Sequence, residues 1–456
     1  MVNKINLPKN VEFILNRLHE YDYEAYIVGG CVRDSLLGLE PHDWDICTSA
    51  LPEETYKVFS DYRIIPTGLE HGTVTIVVED ELYEVTTFRT DGNYSDGRHP
   101  DKVVFVSNLE HDLARRDFTI NAIAYNSRVR FVDPFNGITD LHKNILRCVG
   151  NPYARFNEDA LRIMRAIRFA ANYDLTIDEK TSQAAKDLAP TLSKISKERI
   201  TSELLKLFFK AKEPGKYLQE YKDIVFAIVP ELKITDGFEQ NNPWHEYDVY
   251  KHITTCVDKV PQRFDTETLA IIRFAALLHD IGKPATYTED DNKIGHFHGH
   301  AKVSTYIASE VLKNDFRLPT KVIQTILTLI ENHASRIEDT SKSVRLWISK
   351  IGAENLDYLL ALREADCSSY GNSQKKLERE ASLEKTKQTK QILDTIDLTK
   401  ECTKVSDLAI NGNDLIKLGY SGKEIGIILN SLLVDIIEDR VINDHQALIQ
   451  YIQKLS

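Results

Sequence analysis

YIVGGCVRDSLLGLEPHDWDICTSA, residues 26–50, is the stretch from which the rest of the chain is read. Its pattern predicts a strand over 25–28, a diglycine turn, a short helix over 32–37 and a second strand carrying Asp43 and Asp45. Gly29 and Gly30 let the backbone come close to a polyphosphate, whose charge the following helix N-terminus and Arg33 can meet. A single residue separates Asp43 from Asp45. On a strand such positions project from one face, so the two carboxylates converge. Convergent hard oxygens beside a phosphate cradle suit Mg²⁺, which takes one or two carboxylates together with substrate phosphates. The chemistry implied is metal-assisted nucleotidyl transfer. A lone diglycine or a lone D-x-D is ordinary loop composition, and the signal lies in their order.

Composition narrows the class. A chain of 456 residues holds more than one core, and 42% hydrophobic with 28% charged residues is the make-up of a soluble globular protein. No apolar run approaches membrane-spanning length and no signal-peptide pattern is present, so the expectation is a cytoplasmic protein without membrane association whose mature form is the whole chain. The cysteines at 31, 47, 148, 256, 367 and 402 are scattered without a C-x-x-C pair, as reduced thiols are, unlike a disulfide or zinc framework. A net charge of −12 argues against indiscriminate coating of nucleic acid and leaves room for a local basic track.

Diglycine, Val-Arg-Asp, Leu-Leu-Gly and D-x-D in this order resemble the class II nucleotidyltransferases: the CCA-adding enzymes (tRNA nucleotidyltransferases) and the related bacterial poly(A) polymerases. The resemblance continues downstream. It implies an α+β fold class, with a polymerase-beta-like head over 1–150 and an elongated all-α body. The body divides into a neck over 151–222, an HD-type domain over 223–370 and a tRNA-binding tail over 371–456.

In the head, 73–78 and 82–89 alternate as two strands about a turn at Asp80-Glu81, and Glu84 on the second is a weaker candidate for a third carboxylate. The loop DGNYSDGRHPD, residues 91–101, has the Gly, Asp and Ser content of a mobile linker. In the family a loop at this place accompanies the switch from C to A addition. Residues 109–126 read LEHDLARRDFTINAIAYN, with Arg115-Arg116-Asp117 opening a helix, and Arg116 matches the family's nucleotide-binding arginine. In the neck, Asn157-Glu158-Asp159 reads as a helix start, followed by LRIMRAIRF. By composition alone, Asp159, Arg162, Arg165 and Arg168 form a solvated ion-pair stripe. EDALR, however, matches the family's E-D-x-x-R element, whose Asp and Arg read the base edge of CTP or ATP without a template. The resemblance therefore assigns Asp159 and Arg162 to base selection, and Arg165 and Arg168 to nucleotide phosphate or helix positioning. Glu198, Arg199 and Glu203, on a helix over 195–210, read as structural.

In the body, His252, His279, Asp280, His300, His333 and Asp366 follow the order H, HD, H, H, D. Burying an adjacent His-Asp pair without partners is costly, so coordination or a tight hydrogen-bond network is implied. The set resembles the HD metal-dependent phosphohydrolases, which implies a second divalent transition metal beside the head's Mg²⁺. His245, His296 and His298 have no place in the pattern and read as surface histidines, and 373–391 reads as a solvated linker helix. Lys417 and Lys423 in the tail can touch phosphate. The function implied is template-independent addition of CCA to the tRNA 3′ end from CTP and ATP. Its rivals are a poly(A) polymerase or A-adding enzyme, an HD phosphohydrolase whose head only binds nucleotide, and a non-catalytic RNA-binding module.

Overall fold

The computed structural model describes residues 4–66, 68, 72–91, 103–371 and 374–455. The chain forms two compact units, one of residues 1–212 and 220–228, the other of 213–219 and 229–456. Most of the 91–101 loop lies outside the described residues.

The strands of the first unit are β1 (Ala25–Val28), β2 (Ile46–Thr48), β3 (Arg63–Ile65), β4 (Thr73–Val78), β5 (Glu81–Thr87), β6 (Arg89–Asp91), β7 (Val103–Phe105), β8 (Ala124–Asn126), β9 (Arg130–Val132) and a short parallel pair, β10 (Ile145–Leu146) and β11 (Thr176–Ile177). Seven of them make one sheet in the order β3-β4-β5-β2-β1-β8-β9, while β6 and β7 pair as a separate ribbon. All four residues of β1 are buried, as befits a central strand covered on both faces. The sheet is mixed, because β2 runs parallel to β5 whereas β1 is antiparallel to β2 and β8.

Helices α1 (Lys9–Glu20), α2 (Gly30–Leu36), α3 (Pro52–Val58), α4 (Leu109–Ala114) and α5 (Gly137–His142) surround the sheet, and α6 (Pro152–Glu158), α7 (Leu161–Tyr173), α8 (Glu179–Asp187) and α9 (Lys197–Lys210) make the neck. Head and neck pack as one unit. Gly137 is the closest approach within it, since a Cβ there would lie 2.1 Å from the Thr119 carbonyl oxygen.

Several expectations are corrected. Asp43 and Asp45 precede β2, which starts at Ile46. The Asp45 carbonyl still accepts from Val28 N at 3.0 Å, but Gly29 then turns the neighbouring strand away and leaves residues 43 and 44 no ladder to join. The hairpin turn sits at Glu79-Asp80, both with positive φ, one residue earlier than read. Arg115-Arg116-Asp117 follows a helix instead of opening one. Asn108 caps α4 by accepting from Glu110 N, the helix ends at Ala114, and the apolar run beyond is buried as a short 3₁₀ turn and β8. Asn157 and Glu158 close α6. Asp159, with φ −141° and ψ 104°, is the break between α6 and α7.

The second unit is helical: α10 (Pro214–Glu220), then, after α11 (Lys222–Ile228) of the first unit, α12 (Val249–Lys259), α13 (Thr266–Leu278), α14 (Lys283–Thr286), α15 (His300–Asn314), α16 (Thr320–Asn332), α17 (Ser341–Ile351), α18 (Ala353–Cys367), α19 (Lys376–Thr395), α20 (Gly412–Lys417), α21 (Lys423–Ile437) and α22 (His445–Leu455). Ten of the thirteen residues of α13 are buried, so this helix is the spine of the unit. The last three helices bring their own core around Leu415, Leu432, Ile437 and Leu448. Among the described residues no helix is long and apolar enough to cross a membrane.

Candidate active site and metal centre

The glycine pair of the opening motif divides its work. Gly29 takes φ +80°, and a Cβ there would stand 3.0 Å from Arg116 Nη1 and 3.9 Å from Asp45 Oδ2. Only glycine lets the Arg116 guanidinium and the Asp45 carboxylate close on this turn. Gly30 is the first residue of α2, with the Arg33 guanidinium 3.6 Å from where its Cβ would be. Asp43, Asp45 and Glu84 line one cleft of about 890 Å³, with Trp44, Thr75 and Tyr83 in its walls. Glu84 reaches it from β5, paired in register with Thr75 of β4. Asp45 faces the open cleft, yet desolvation by its walls raises its carboxyl above the ordinary range, with Arg116 opposing and Asp43 reinforcing the shift. Arg116 is anchored to Asp112 (Nη2 to Oδ2, 3.3 Å). Burial weakens its charge, and Asp112, Cys47 and Asp45 more than offset this.

Arg33 is buried and turned toward the neck. It donates from Nε to Asp34 at 2.8 Å, from Nη1 to Asn121 at 2.7 Å and from Nη2 to the Tyr173 hydroxyl at 2.6 Å. Its guanidinium lies over Tyr173 (4.5 Å) and Phe169 (5.1 Å), and Arg165 and Arg168 lie over the same Phe169 ring at 5.1 and 4.0 Å. Arg165 pairs with the buried Asp117 (2.6 Å). Burial would raise that carboxyl, but Arg165 and the Asn121 amide hold it well below the usual range. Arg168 donates to Glu203 at 2.6 Å. Asp159 uses Oδ1 to accept from Leu161 N (3.0 Å) and Oδ2 to meet Arg199 Nη2 (2.7 Å), and Arg162 bonds Glu158 (2.8 Å) and the Arg115 carbonyl (3.1 Å). Hydrogen bonds and ion pairs thus run through these residues from α2 to α9. Arg199 and Glu203 are the struts that hold Asp159 and Arg168.

In the second unit the H, HD, H, H, D residues meet at one point. His279 and His333 are the residues that end α13 and α16, and His300 begins α15. Each turns Nδ1 onto the carbonyl three residues back: His279 to Ala276 (2.8 Å), His300 to Phe297 (2.7 Å) and His333 to Ile330 (2.7 Å). A carbonyl only accepts, so Nδ1 of each ring donates to it and Nε2 is the atom turned inward. Asp280 stands between two groups of such nitrogens. Its Oδ2 lies 3.2 Å from both His252 Nε2 and His279 Nε2, and its Oδ1 lies 3.4 Å from His300 Nε2 and 3.6 Å from His333 Nε2. Asp366 joins the first group, 3.1 Å from His252 Nε2. The Nε2 atoms of His300 and His333 face each other at 3.1 Å, and His252 Nε2, His279 Nε2 and Asp366 Oδ1 are buried with no hydrogen-bond partner. Imidazole nitrogens and carboxylate oxygens turned on one another in a buried site fit metal ligands. Among the described residues, His252-His279-Asp280 and Asp280-His300-His333 are the groups whose ligand atoms lie within 4.8 Å of one another. The head carboxylates are not gathered so tightly. Burial would raise the Asp280 carboxyl, but His279 and Lys283 (Nζ to Oδ2, 2.7 Å) hold it well below its ordinary range.

Above this centre opens a cavity of about 600 Å³. Its wall holds residues that sequence reasoning missed or misplaced. His245, read as a surface histidine, is packed against His252 (ring centroids 5.0 Å) and Tyr370 (4.4 Å), and burial lowers its pKa well below the usual value. His296 and His298 also line the cavity, their rings stacked at 5.5 Å. Lys283, Arg363 and Arg379 supply positive charge to the same wall. The K of HDIGKP was a visible signal for the first of these. The two arginines are distant in sequence and carried none.

Residues 25–147 match the family model described as "Poly A polymerase head domain", 174–223 match "Probable RNA and SrmB- binding site of polymerase A", and 245–395 match "HD domain". The first unit is thus similar to the head of poly(A) polymerases and the second contains a region similar to HD domains. The chain's relatives include the CCA-adding enzyme of Enterococcus faecalis, 47% identical over 220 residues (48% of this chain, 54% of that protein), and that of Lactobacillus helveticus, 52% identical over 194 residues (42% and 48%). The chain spans about half the length of the curated relatives it matches. Solved neighbours include the Bacillus stearothermophilus CCA-adding enzyme in complex with CTP, with TM-score 0.67 and 27% identity over 97% of this chain and 95% of that one. The Thermotoga maritima CCA-adding enzyme complexed with tRNA shares the fold, with TM-score 0.60 and 21% identity over 99% and 97%. The α+β head followed by a helical body is thus a fold shared with these solved CCA-adding enzymes.

Proposed function

We propose that this protein is an enzyme that adds CCA to the 3′ end of tRNA, taking CTP and ATP without a nucleic-acid template. The observation that carries the reading is the head cleft, where Asp43, Asp45 and Glu84 line one space in front of Arg116. The names of the relatives and the CTP in the Bacillus stearothermophilus neighbour support it. Asp43 and Asp45, with Glu84 as the third carboxylate, would hold Mg²⁺, which when bound would supply the charge that activates the attacking hydroxyl and neutralises the leaving pyrophosphate. Arg116, fixed by Asp112 beside Gly29, draws the triphosphate to the turn, and the N-terminus of α2, braced from beneath by the buried Arg33, sets its position. Asp159 accepts from the exocyclic amino group of C or A while Arg162 donates to the ring acceptor beside it. U and G present the opposite pattern and leave both side chains mismatched. Arg165 and Arg168 act through Asp117 and Glu203 to keep that helix in place. A tRNA substrate places the activity in the cytoplasm.

Primer extension tests the reading. Transcripts of tRNA ending before CCA, after C and after CC are given Mg²⁺ with CTP, ATP or both. Stepwise addition that halts after CCA on all three is the expected result. A single A on the CC-ended transcript alone would make this an A-adding enzyme, and a long A ladder on unrelated RNA a poly(A) polymerase.

The HD centre supports a second activity, hydrolysis of phosphate esters. The observation favouring it is the pair of ligand groups sharing Asp280 beneath an open cavity. Imidazole-rich ligation suits a divalent transition metal, which supplies a Lewis acid and an activating charge for water. Hydrolysis of a simple phosphate ester by the wild type, lost in Asp280→Ala, is the expected result.

A further inference from the structure

Helix α19 reads from sequence as a solvated linker, yet it turns Thr386 and Thr389 inward and gives Arg379 and Ser382 to the cavity over the HD centre. The Arg379 guanidinium lies 5.1 Å from the centroid of the Tyr370 ring, which itself stands 5.0 Å from the His252 ring. Nη1 donates to the Gly371 carbonyl at 3.1 Å, and Nε is buried without a hydrogen-bond partner. A guanidinium seated on a ring and tied by one carbonyl has a fixed direction and donors to spare. The other cations of this wall are more fully engaged. Lys283 bonds Asp280 at 2.7 Å and Gln240 at 2.8 Å, and Arg363 donates Nη1 to the Ser335 and His333 carbonyls.

We propose that Arg379 binds the non-bridging oxygens of a phosphate ester at the HD centre. The proposal rests on the hydrolytic reading of that centre. A guanidinium fork matches two phosphate oxygens, and its position on the wall that holds Asp280 and Asp366 puts it within the same cavity as the ligands. Arg379 is thereby a substrate-contacting residue supplied by an element outside the H, HD, H, H, D pattern.

The test is calorimetric titration of inorganic phosphate into the full chain loaded with Mn²⁺, with bound Mn²⁺ counted in parallel and p-nitrophenyl phosphate kinetics as the second readout. Arg379→Gln is expected to weaken phosphate about tenfold to a hundredfold, as losing hydrogen bonds to a charged group does, and to raise KM in step, with the Mn²⁺ count unchanged. Arg379→Lys keeps the stem and charge and is expected to recover part of that affinity, which a helix-docking role alone would not yield. Unchanged phosphate affinity in Arg379→Gln overturns the proposal, as does a wild type that binds no phosphate. A wild type that binds phosphate through Arg379 but hydrolyses no ester keeps the anion site and removes the hydrolytic reading instead.

Discussion

In the head, Asp43 and Asp45 stand open to solvent on an extended segment, with Glu84 across the cleft and Arg116 behind. In the body, His252, His279 and Asp280 are buried, each ring is fixed through a hydrogen bond at Nδ1, and the ligand atoms are already within reach of common ions. Both places gather carboxylates that fit divalent cations, but of the two the second is the more preassembled. The difference matches the chemistry proposed for each. A nucleotidyl-transfer site receives much of its metal coordination from the incoming triphosphate, so its protein ligands stay few and accessible. A resident metal with imidazole ligands needs its shell oriented beforehand, and the helix ends of α13 and α16 supply the carbonyls that do this.

The largest expected effect that probes this contrast is loss of the shared carboxylate. Asp280→Ala removes a ligand from both histidine groups, so protein-bound transition metal after dialysis is expected to fall from the wild-type level to nearly none. Asp43→Ala with Asp45→Ala should leave that metal in place. If the head pair emptied the protein and Asp280→Ala did not, the contrast would be reversed.

Next is the strut beneath the head. Asp117→Asn leaves the Arg165 guanidinium without its buried partner and is expected to cost about 3–5 kcal/mol in urea unfolding of the first unit. The pH sign follows from the depressed carboxyl. Its folded pKa lies below the unfolded value near ~3.9, so its contribution is present above that value and lost as pH falls through the folded pKa. The variant should therefore show a shallower acid destabilisation than the wild type.

Asp258, in the second unit, has the opposite sign. Its carboxyl is raised to about 6, first by burial, with the Gly215 amide and Arg273 opposing. The folded state holds more protons than the unfolded between ~3.9 and about 6, so stability falls as pH rises through that window. Asp258→Asn is expected to flatten this slope and to stabilise the unit by about 2 kcal/mol at neutral pH, read from thermal melts.

The smallest effect belongs to Arg199→Ala. Removing this partly buried partner of Asp159, which leaves Oδ1 bonded to Leu161 N, should change stability by about 1 kcal/mol. It should nonetheless raise KM for CTP and ATP several-fold and let in more UTP, because Asp159, the carboxylate proposed to read the base, loses the strut that sets its direction. Unchanged selectivity would show that Asp159 is aligned by Leu161 N alone.

Much of this was legible because it is local. The GG turn, D-x-D and HD motifs bind residues a few positions apart, and the strands at 73–78 and 81–87 announce themselves by alternation. What sequence could not show was nonlocal. The apolar run after Asp117 reads as a helix because Phe118, Ile120 and Ile123 are all hydrophobic, yet β8 needs residues 124–126 for pairing with β1 and β9, and the sheet wins. Asp159 reads as part of a helix start because propensity cannot foresee that Arg199, forty residues on, holds it in the break between two helices. His245 reads as a surface residue because its burial comes from Tyr370 and His252, neither its neighbour in sequence.

The measurement that tests the account most directly is primer extension by two paired variants on tRNA ending before CCA. Asp43→Ala with Asp45→Ala is expected to abolish nucleotide addition, while His279→Ala with Asp280→Ala adds CCA as the wild type does and loses only phosphate-ester hydrolysis. Addition that survives the first pair, or is abolished by the second in a folded protein, would contradict the assignment of transfer to the head and hydrolysis to the body.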